Sequence, residues 1–147
     1  MKNILITGIA GFVGSHLQKE LQTEFSVAGI DNLYSQASQL RAKSLPKITP
    51  QSIHSDFIDK LTEKPEIVIH LAAETGISDS LTNPTRYMQQ NVEGTFNVLE
   101  QCRKNGVKYL IYVSSSSVYE PNEIMAENAP HDRQLSFYGT SKRMTEI

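Results

Sequence analysis

The stretch NILITGIAGFVG, residues 3–14, decides the fold of this 147-residue chain. Its first five residues form an almost continuous apolar run, which is typical of a strand buried on both faces of a parallel sheet. Glycines follow at every third position, Gly8, Gly11 and Gly14, and predict a tight turn, while a helical pattern of apolar residues begins at Phe12. The stretch therefore predicts a strand, a glycine-rich turn and the start of a helix.

A glycine-rich turn between a strand and a helix is suited to binding a diphosphate. Glycine permits close backbone approach, and the free N–H groups and positive dipole end of the helix attract an anion. The next apolar run ends on Asp31, whose carboxylate can accept hydrogen bonds from ribose hydroxyls. Its charge repels a 2′-phosphate and no arginine directly follows it, so we expect NAD rather than NADP. The alternative is that the glycines serve the turn alone and Asp31 is a solvated loop residue.

Further apolar runs predict the remaining strands. They are residues 26–30, a weak run at residues 53–56, a strong run at residues 66–73 and another at residues 107–113. The polar residues 34–51 are predicted to form a connection or a short helix. Strands that alternate with helices indicate an α/β fold, a doubly wound parallel sheet of Rossmann type with strand order 3-2-1-4-5.

A long helix is predicted between the fourth and fifth strands. Asn83 and Pro84 supply a cap and a first-turn proline, and Asn105-Gly106 is a typical helix end. Apolar residues at helical spacing predict its buried face: Met88, Val92, Phe96, Leu99 and Cys102. The single cysteine is therefore expected to be a buried thiol, and its lack of a disulfide partner fits a reducing, cytoplasmic compartment.

Composition and charge exclude several classes of protein. Fourteen basic and sixteen acidic residues give a net charge of −2, which leaves no basic field for nucleic acid or an anionic membrane. The N-terminal apolar run is too short for a signal peptide or a membrane span. The four histidines do not share metal-ligand spacing with one another or with the cysteine, so no metal site is expected.

Tyr138 and Lys142 are the predicted proton-transfer pair. They lie four residues apart and therefore on one face of a helix. Tyrosine is a poor base at neutral pH, but a lysine cation and the positive nicotinamide of NAD+ both favour its phenolate form. The fifth strand leads into residues 114–117, four serines at the sheet edge where ligands of such folds bind. Because a Tyr-x-x-x-Lys pair arises easily by chance, the prediction rests on its combination with the serines, the glycine turn and Asp31.

Taken together, these segments resemble the extended branch of the short-chain dehydrogenase/reductase family. The resemblance covers essentially the whole chain and is carried by TGIAGFVGSHL, GIDN, HLAA, NVEGTFNVLE, SSSSVY and YGTSK, residues 7–17, 29–32, 70–73, 91–100, 114–119 and 138–142. It implies that Ser115, Tyr138 and Lys142 are catalytic, and that Ser116 and Ser117 contact the substrate together with Ser115.

The expected cofactor is NAD. The resemblance and the turn chemistry together imply a binding set that follows the ends of the strands: Gly8, Gly11, Phe12, Val13, Gly14, Asp31, Asn32, Asp56, Phe57, Leu71, Ala72, Ala73, Thr75, Asn91, Tyr138 and Lys142. Asp56 can hold the adenine, although taken alone it is better explained as a helix cap. Asn91 matches a structural asparagine of the family.

Within this branch, GIDNLYSQASQLRAKSL and YVSSSSVYE are most similar to UDP-glucuronate 4-epimerases. The related 4,6-dehydratases have an Asp-Glu pair directly after the catalytic hydroxyl, where this chain has Ser116 and Ser117. The resemblance therefore implies C4 inversion of a UDP-sugar through a transient 4-keto sugar. Ser78 stands where the glucuronate enzymes have arginine, and Glu120 stands where glycine is usual. UDP-glucose/galactose-type epimerases, 4,6-dehydratases and a non-catalytic NAD-binding protein are the alternatives.

Family members continue beyond the point that corresponds to Ile147. We therefore expect residues 1–147 to be an NAD-binding domain, incomplete at its C-terminus, without the last strands and the substrate lobe. Alone it is expected to bind NAD weakly and not to turn over a sugar, because substrate positioning supplies much of the rate. The full-length parent is expected to be a homodimer.

Overall fold

The computed structural model describes residues 1–120, 126–131 and 133–147. The chain divides into two compact units, Met1–Ala72 with Asn97–Val113, and Ala73–Phe96 with Ser114–Ile147. The strands are β1 (Asn3–Thr7), β2 (Ser26–Asp31), β3 (Ile48–Pro50), β4 (Ile67–His70) and β5 (Tyr109–Tyr112). The α-helices are α1 (Phe12–Leu21), α2 (Gln36–Ala42), α3 (Ile77–Thr82), α4 (Pro84–Tyr87), α5 (Gly94–Lys104) and α6 (Phe137–Met144).

The first unit contains a five-stranded parallel sheet. Its order is β3-β2-β1-β4-β5, which confirms the predicted fold class and strand order. Ile4 pairs with Val27 on one side and with Ile67 on the other, and Ile67 in turn pairs with Tyr109. Because all neighbouring strands are parallel, their carboxyl ends lie at one edge of the sheet. The glycine turn starts at this edge after β1, and Asp31 lies at the same edge as the last residue of β2.

Successive residues of β1 point to opposite faces of this sheet and enter two different apolar clusters. Leu5 packs with Val68 and with two residues of α5, Val98 and Cys102. By contrast, Ile4 and Ile6 pack with residues that follow the first two strands, such as Ile9 and Leu45. The continuous apolar run is explained by burial on both faces, as expected for a doubly wound sheet.

The predicted third strand at residues 53–56 is wrong. These residues form a turn, and the third strand is β3, inside the polar stretch that was predicted to be a connection or a short helix. Ile53 is apolar because it packs in the core cluster from the turn, at 6% exposure. β3 has only three residues, of which two are exposed, so it carries neither alternation nor an apolar run. The same stretch also contains α2, which Ser35 caps by accepting from the Ser38 N–H.

The predicted long helix exists, but its buried face differs from the prediction. A π-helix, Met88–Glu93, separates α4 from α5. Phe96 and Leu99 are 66% and 44% exposed, so their assignment to the core is wrong. The buried side of the helix carries the polar residues Asn91, Thr95 and Gln101, so a count of apolar residues misses it. The buried positions are Tyr87, Asn91, Gly94, Thr95, Val98, Gln101 and Cys102.

Cys102 is a buried thiol, as predicted. Desolvation raises its pKa to about 11, so it is protonated at neutral pH and a poor nucleophile. In the part of the chain that the structure describes, no helix is long and apolar enough to cross a membrane.

Candidate active site

The glycine turn after β1 requires glycine for two separate reasons. Gly8 has φ +72°, and a Cβ built on it would lie 2.8 Å from the backbone nitrogen of Ala72. A Cβ on Gly14 would lie 2.5 Å from the carbonyl oxygen of Gly8. Gly8 also donates its N–H to the Ile30 carbonyl at 2.8 Å, so the turn is fixed to the end of β2. A side chain at either position must displace backbone at the sheet edge.

The amino terminus of α1 has the features that an anion needs. Its cap residue, Gly11, provides no side-chain hydrogen bond, and the first turn contains no acidic residue. The side chains of Phe12 and Val13 are 69% and 58% exposed, so they do not cover the terminus with core packing. The first N–H groups of the helix are thus available to a diphosphate, and this part of the chain fits a dinucleotide.

Asp31 is held rigidly at the end of β2. Its Oδ2 accepts the Ala10 N–H at 3.0 Å and its Oδ1 accepts the Leu33 N–H at 2.8 Å. A carboxylate has further acceptor capacity, so ribose hydroxyls can still donate to it. Leu33 has φ +53°, an unfavourable value for a leucine, which the loop maintains next to this carboxylate. Asn32 is exposed, and its side-chain oxygen accepts the Tyr34 N–H at 3.1 Å.

Arg41 is a neighbour of this turn that the sequence did not reveal. Its Nη1 donates to the Ala10 carbonyl at 3.4 Å, so α2 brings a guanidinium to the segment predicted to bind the diphosphate. The residues that directly follow Asp31 include no arginine, and a cation on the next helix could have been found only by predicting that helix and its packing direction.

Asp31→Asn is expected to weaken NAD binding about tenfold. The amide group can accept through only one of its two heavy atoms, so either the Ala10 or the Leu33 N–H loses its partner, and the ribose loses a charged acceptor. Loss of the negative charge is also expected to lower the ratio of the affinity for NAD to the affinity for NADP. Isothermal titration with both dinucleotides measures each effect. Asp59→Asn, which changes an exposed carboxylate 3.3 Å from Lys64, is the control; unchanged NAD affinity in Asp31→Asn would contradict the assignment.

The side chain of Thr7, at the end of β1, forms hydrogen bonds with residues at and just after the end of β4. Its hydroxyl oxygen accepts the Ala72 N–H at 3.2 Å and lies 2.6 Å from Nδ1 of His70. The Leu71 N–H donates to the Thr7 carbonyl at 3.1 Å. Leu71 and Ala72, both predicted to border the cofactor, are thereby fixed against the glycine turn.

The structure shows contacts of Asp56 and Phe57 that the sequence did not reveal. The Phe57 side chain is fully buried in the core, so only its backbone can reach a ligand. Asp56 is exposed, and its Oδ1 accepts from Nε2 of Gln101 at 2.6 Å. The short 3-10 helix that follows, Ile58–Lys60, has no side-chain cap, so the interpretation of Asp56 as a helix cap is wrong.

In the second unit, the serines after β5 form a short turn of 3-10 helix, Ser116–Val118. Ser115 precedes this turn, and its Oγ accepts the Ser117 N–H at 3.1 Å. Because that oxygen is used as an acceptor, its hydroxyl proton remains available for donation. Ser116 is exposed and Ser117 is half-buried. The backbone geometry thus orients the serine that is predicted to be catalytic.

The helix that carries the tyrosine and the lysine packs directly on these serines. Ser136 caps α6 by accepting the Gly139 N–H at 3.0 Å. A Cβ on Gly139 would overlap the carbonyl oxygen of Ser117, so no larger residue fits at this contact. Tyr138 is half-buried, and Lys142, one turn further along α6, is 4% exposed. The second unit therefore brings Ser115, Tyr138 and Lys142 onto packed neighbouring elements.

Burial lowers the pKa of Lys142 to about 8, and Glu146 opposes part of this shift. In the unfolded chain the group returns to its ordinary pKa of 10.5, so between these values the unfolded state binds the proton that the folded state has lost. The free energy of unfolding is therefore expected to rise with pH across this window, by up to about 3 kcal/mol. Below pH 8 the folded protein bears the full cost of the buried cation.

Lys142→Met is expected to remove this pH dependence. The variant should be more stable than the wild type at pH 7 and equally stable near pH 10, as measured by urea unfolding at a series of pH values. Lys104→Met, which changes an exposed lysine of α5, is the control and should leave the profile unaltered. If the free energy of unfolding changed with pH in the same way in the wild type and in Lys142→Met, the lysine would not be buried as a cation.

Asn91 connects a loop and two helices of the second unit. Its Oδ1 accepts the Glu74 N–H at 2.8 Å, and its Nδ2 donates to the Glu74 carbonyl at 3.1 Å and to Ser141 Oγ at 2.9 Å. Ser141 in turn donates to the Tyr138 carbonyl at 2.8 Å. The amide of Asn91 is thus used by the protein itself, which fits the structural role implied by the family resemblance.

Tyr87 is a second buried anchor in this unit that was not predicted from the sequence. Its hydroxyl lies 3.0 Å from the Thr75 carbonyl and 3.2 Å from Oδ2 of Asp79, and desolvation raises its pKa to about 12. Its ring packs edge-on against the Tyr138 ring at 6.2 Å between centroids. The sequence signal would have been an aromatic residue one helical turn before Asn91.

The predicted site residues fall in both units. The first unit contains the glycine turn, Asp31, Asn32, Asp56, Phe57, Leu71 and Ala72. The second contains Ala73, Thr75, Asn91, the serines Ser115, Ser116 and Ser117, and the Tyr138 and Lys142 pair. Over the described ranges, no group of three or more His, Cys, Asp or Glu side chains is arranged to hold a metal ion.

Comparison with known proteins identifies a family and its related enzymes. Residues 4–147 match the model of the NAD dependent epimerase/dehydratase family. Protein CapI of Staphylococcus aureus is 37% identical over 98% of this chain and 47% of its own length, and UDP-glucose 4-epimerase of Yersinia enterocolitica is 35% identical over 98% and 46%. The chain spans about half the length of the curated relatives that it matches.

The solved structures show the same relationship. One is the UDP-glucuronic acid 4-epimerase of Bacillus cereus, in a variant bound to UDP-4-deoxy-4-fluoro-glucuronic acid and NAD. It matches with a TM-score of 0.87 and 30% identity over 98% of this chain and 50% of its own length.

Proposed function

The chain belongs to the NAD-dependent epimerase/dehydratase family, and from this premise we propose that the whole protein performs NAD-dependent 4-epimerisation of a UDP-sugar. The observation that carries the proposal is the packing of α6, with Tyr138 and the buried Lys142, directly on the serine turn that Ser115 begins. A UDP-glucose 4-epimerase and a UDP-glucuronic acid 4-epimerase among the relatives support the same reaction type.

The first unit supplies the residues that would hold NAD. The N–H groups at the start of α1 would bind the diphosphate, and Asp31 would accept the ribose hydroxyls. When bound, NAD+ supplies a reversible acceptor for the hydride at C4 of the sugar. The protein must hold this cofactor throughout the cycle, because the same molecule is needed to complete the inversion.

The second unit supplies proton transfer at the C4 hydroxyl. We assign Tyr138 as the base that removes the hydroxyl proton, and Ser115 as the hydrogen-bond donor that orients the same oxygen. Lys142 lies one turn further along α6 than Tyr138, and its pKa of about 8 keeps it mostly charged at neutral pH. On the return step Tyr138 gives the proton back to the C4 oxygen.

Inversion rather than dehydration is supported by the two residues after Ser115. Elimination of water needs an acid and a base at the neighbouring carbons, and carboxyl groups are suited to that task. Ser116 and Ser117 have hydroxyls instead, which remain neutral and can only donate or accept hydrogen bonds. These hydroxyls can bind the hydroxyls or the carboxylate of a sugar without promoting elimination.

For the sugar itself we propose UDP-glucuronate, with UDP-glucose as a second candidate. Similarity to the Bacillus cereus enzyme and the sequence of residues 29–45 favour the glucuronate. One observation favours the neutral sugar: the guanidinium of Arg86 is 2.7 Å from the Glu74 carboxylate, and so is already neutralised. Ser78, at the start of α3, adds no positive charge.

The test is a competition between the two sugars. Equal amounts of UDP-glucuronate and UDP-glucose are incubated with the protein and NAD, and NMR follows inversion at C4 of each. Faster inversion of the glucuronate supports the first assignment, and faster inversion of the glucose supports the second. Tight NAD binding with no inversion of either sugar would favour a non-catalytic NAD-binding protein. The whole protein is further proposed to be a homodimer, which light scattering measures directly.

A further inference from the structure

Gln101 on α5 is buried and holds a carboxylate that lies far from it in the sequence. Its side chain is 1% exposed, and its Nε2 donates to Oδ1 of Asp56 at 2.6 Å. A hydrogen bond to an ionised carboxylate is shorter and stronger than one between neutral groups. The bond therefore fixes the direction of the Asp56 carboxylate relative to the helix.

The other end of the same amide indicates that Gln101 is not present for stability. Its Oε1 is buried and has no hydrogen-bond partner among the residues that the structure describes. A buried carbonyl without a partner is destabilising, whereas an apolar side chain of similar size avoids that cost. The polar group at this position is thus explained by what it does to Asp56 and not by the packing of α5.

Asp56 is linked through Gln51 to the predicted ribose acceptor, Asp31. Gln51 donates its backbone N–H to the Asp31 carbonyl at 2.9 Å, and its side-chain Nε2 donates to Ser55 Oγ at 2.8 Å and to the Asp56 carbonyl at 3.4 Å. A single residue thus bridges the two acidic positions. Asn97, one helical turn before Gln101, donates to the Ser55 carbonyl at 3.2 Å and braces the same turn.

The two carboxylates match the two parts of one nucleoside. Asp31 is suited to ribose hydroxyls, and Asp56 is exposed, with one oxygen bound to Gln101 and further acceptor capacity. Among the bases, adenine presents an exocyclic amino group as a hydrogen-bond donor, which a carboxylate can accept. Base and ribose are covalently joined, so acceptors for both must lie in one region, and Gln51 links these two positions.

We propose that Gln101 is a positioning residue for adenine recognition: it fixes Asp56 so that the carboxylate accepts a hydrogen bond from the exocyclic amino group of the cofactor's adenine. The inference rests on the NAD binding proposed above and adds the residue that makes the site selective for the base. The side chain of Gln101 donates to Asp56, so its expected effect is on selectivity for the base and not on the chemistry of the sugar.

The test compares NAD with an analogue whose base lacks the amino group and carries a hydrogen on N1, where adenine has none. Nicotinamide hypoxanthine dinucleotide has an oxygen in place of the amino group, and that oxygen repels a carboxylate. Isothermal titration of the intact chain is expected to show binding of NAD at least about tenfold tighter than binding of the analogue, the range for a hydrogen bond to a charged group. Gln101→Leu is expected to reduce this ratio to about threefold or less, and Asp56→Asn is expected to remove most of it.

A stability measurement separates positioning from a structural role. Gln101→Leu removes the unpaired Oε1, so its urea unfolding midpoint should equal or exceed that of the wild type while the selectivity falls. Gln101→Glu places a second carboxylate against Asp56 and should reduce the ratio of NAD affinity to analogue affinity further. This variant provides the test if Gln101→Leu fails to fold. The matched control is Gln18→Leu, since Gln18 is 3% exposed and bonds to Gln22 within α1. It should retain the wild-type ratio.

Each result has a distinct meaning. A wild-type ratio in Gln101→Leu or Gln101→Glu would overturn the role of Gln101. An unchanged ratio in Asp56→Asn, with NAD still bound, would overturn the adenine contact. Failure of the wild-type chain to bind either dinucleotide would contradict the proposed NAD binding instead, and is distinguishable because no ratio could then be measured for any variant.

Discussion

Replacement of Gly8 by valine is expected to weaken NAD binding by at least about a hundredfold. A side chain at this position collides with the backbone of Ala72, which lies 2.8 Å from the place where a Cβ would stand, and a β-branched residue cannot readily adopt φ +72°. Because backbone on both sides is fixed by hydrogen bonds to Thr7 and Ile30, the collision is relieved only by opening the glycine turn. Titration calorimetry with NAD measures the loss.

The chain offers a matched control in Gly106. It also has a positive φ, +66°, but no heavy atom lies within 4 Å of an added Cβ, and it follows α5 away from the turn. Gly106→Ala therefore introduces backbone strain of about 1 kcal/mol without a collision, and should lower stability while NAD affinity stays the same. NAD affinity in Gly8→Val within a few fold of the wild type would show that the turn does not bind the diphosphate.

Tyr138→Phe is expected to lower the rate of 4-epimerisation by at least about a hundredfold, with a much smaller effect on NAD affinity. General acid–base groups contribute about 100- to 10,000-fold to such rates, and phenylalanine has no proton to exchange with the C4 hydroxyl. The ring contact with Tyr87 should survive, because it needs only the aromatic ring. The rate is measured by NMR at saturating UDP-sugar, and NAD affinity by titration.

Tyr109→Phe is the control for this substitution. Tyr109 begins β5, is 62% exposed and lies outside the proposed machinery, so loss of its hydroxyl should leave the rate unaltered. A Tyr138→Phe protein that keeps more than about a third of the wild-type rate would require another group as the base. A rate loss accompanied by loss of NAD binding would instead indicate that the substitution disturbs the fold.

The parts of the fold that sequence could predict are those governed by local rules. The apolar run before Gly8, the glycines themselves and the proline at the start of α4 each impose a conformation on their own neighbourhood, and all three predictions agree with the structure. The strand order also follows, because parallel strands joined by helices permit few topologies. The turn, the sheet and the position of Asp31 could therefore be predicted from the sequence.

Other features depend on tertiary contacts and had no local signal. β3 is a short edge strand whose residues are mostly exposed, whereas the apolar Ile53 beyond it packs into the core from a turn. The buried side of the long helix carries polar residues such as Asn91 and Thr95, so Phe96 faces outwards although its apolar spacing suggested burial. Propensity and periodicity report only the neighbourhood of a residue, and tertiary packing overrides them in both places.

The candidate site shows the same division. Ser115, Tyr138 and Lys142 are found by motif and by family resemblance, and the structure adds how they are held. The partners that hold the site lie far away in sequence: Gln101 beside Asp56, and Tyr87 beside Tyr138. No local pattern couples such positions, so a single sequence cannot reveal them.

The most direct test of the proposed reaction follows a label at C4 of the sugar. The whole protein is incubated with UDP-[4-²H]glucose or UDP-[4-²H]glucuronate and NAD in ordinary water, and NMR identifies the product. An epimerase that oxidises C4 transiently and restores it with the same hydrogen gives the C4-inverted UDP-sugar, with deuterium retained at C4 and no accumulation of NADH. Deuterium lost to water, one NADH formed for each sugar consumed, or no inversion of either sugar would contradict the proposal.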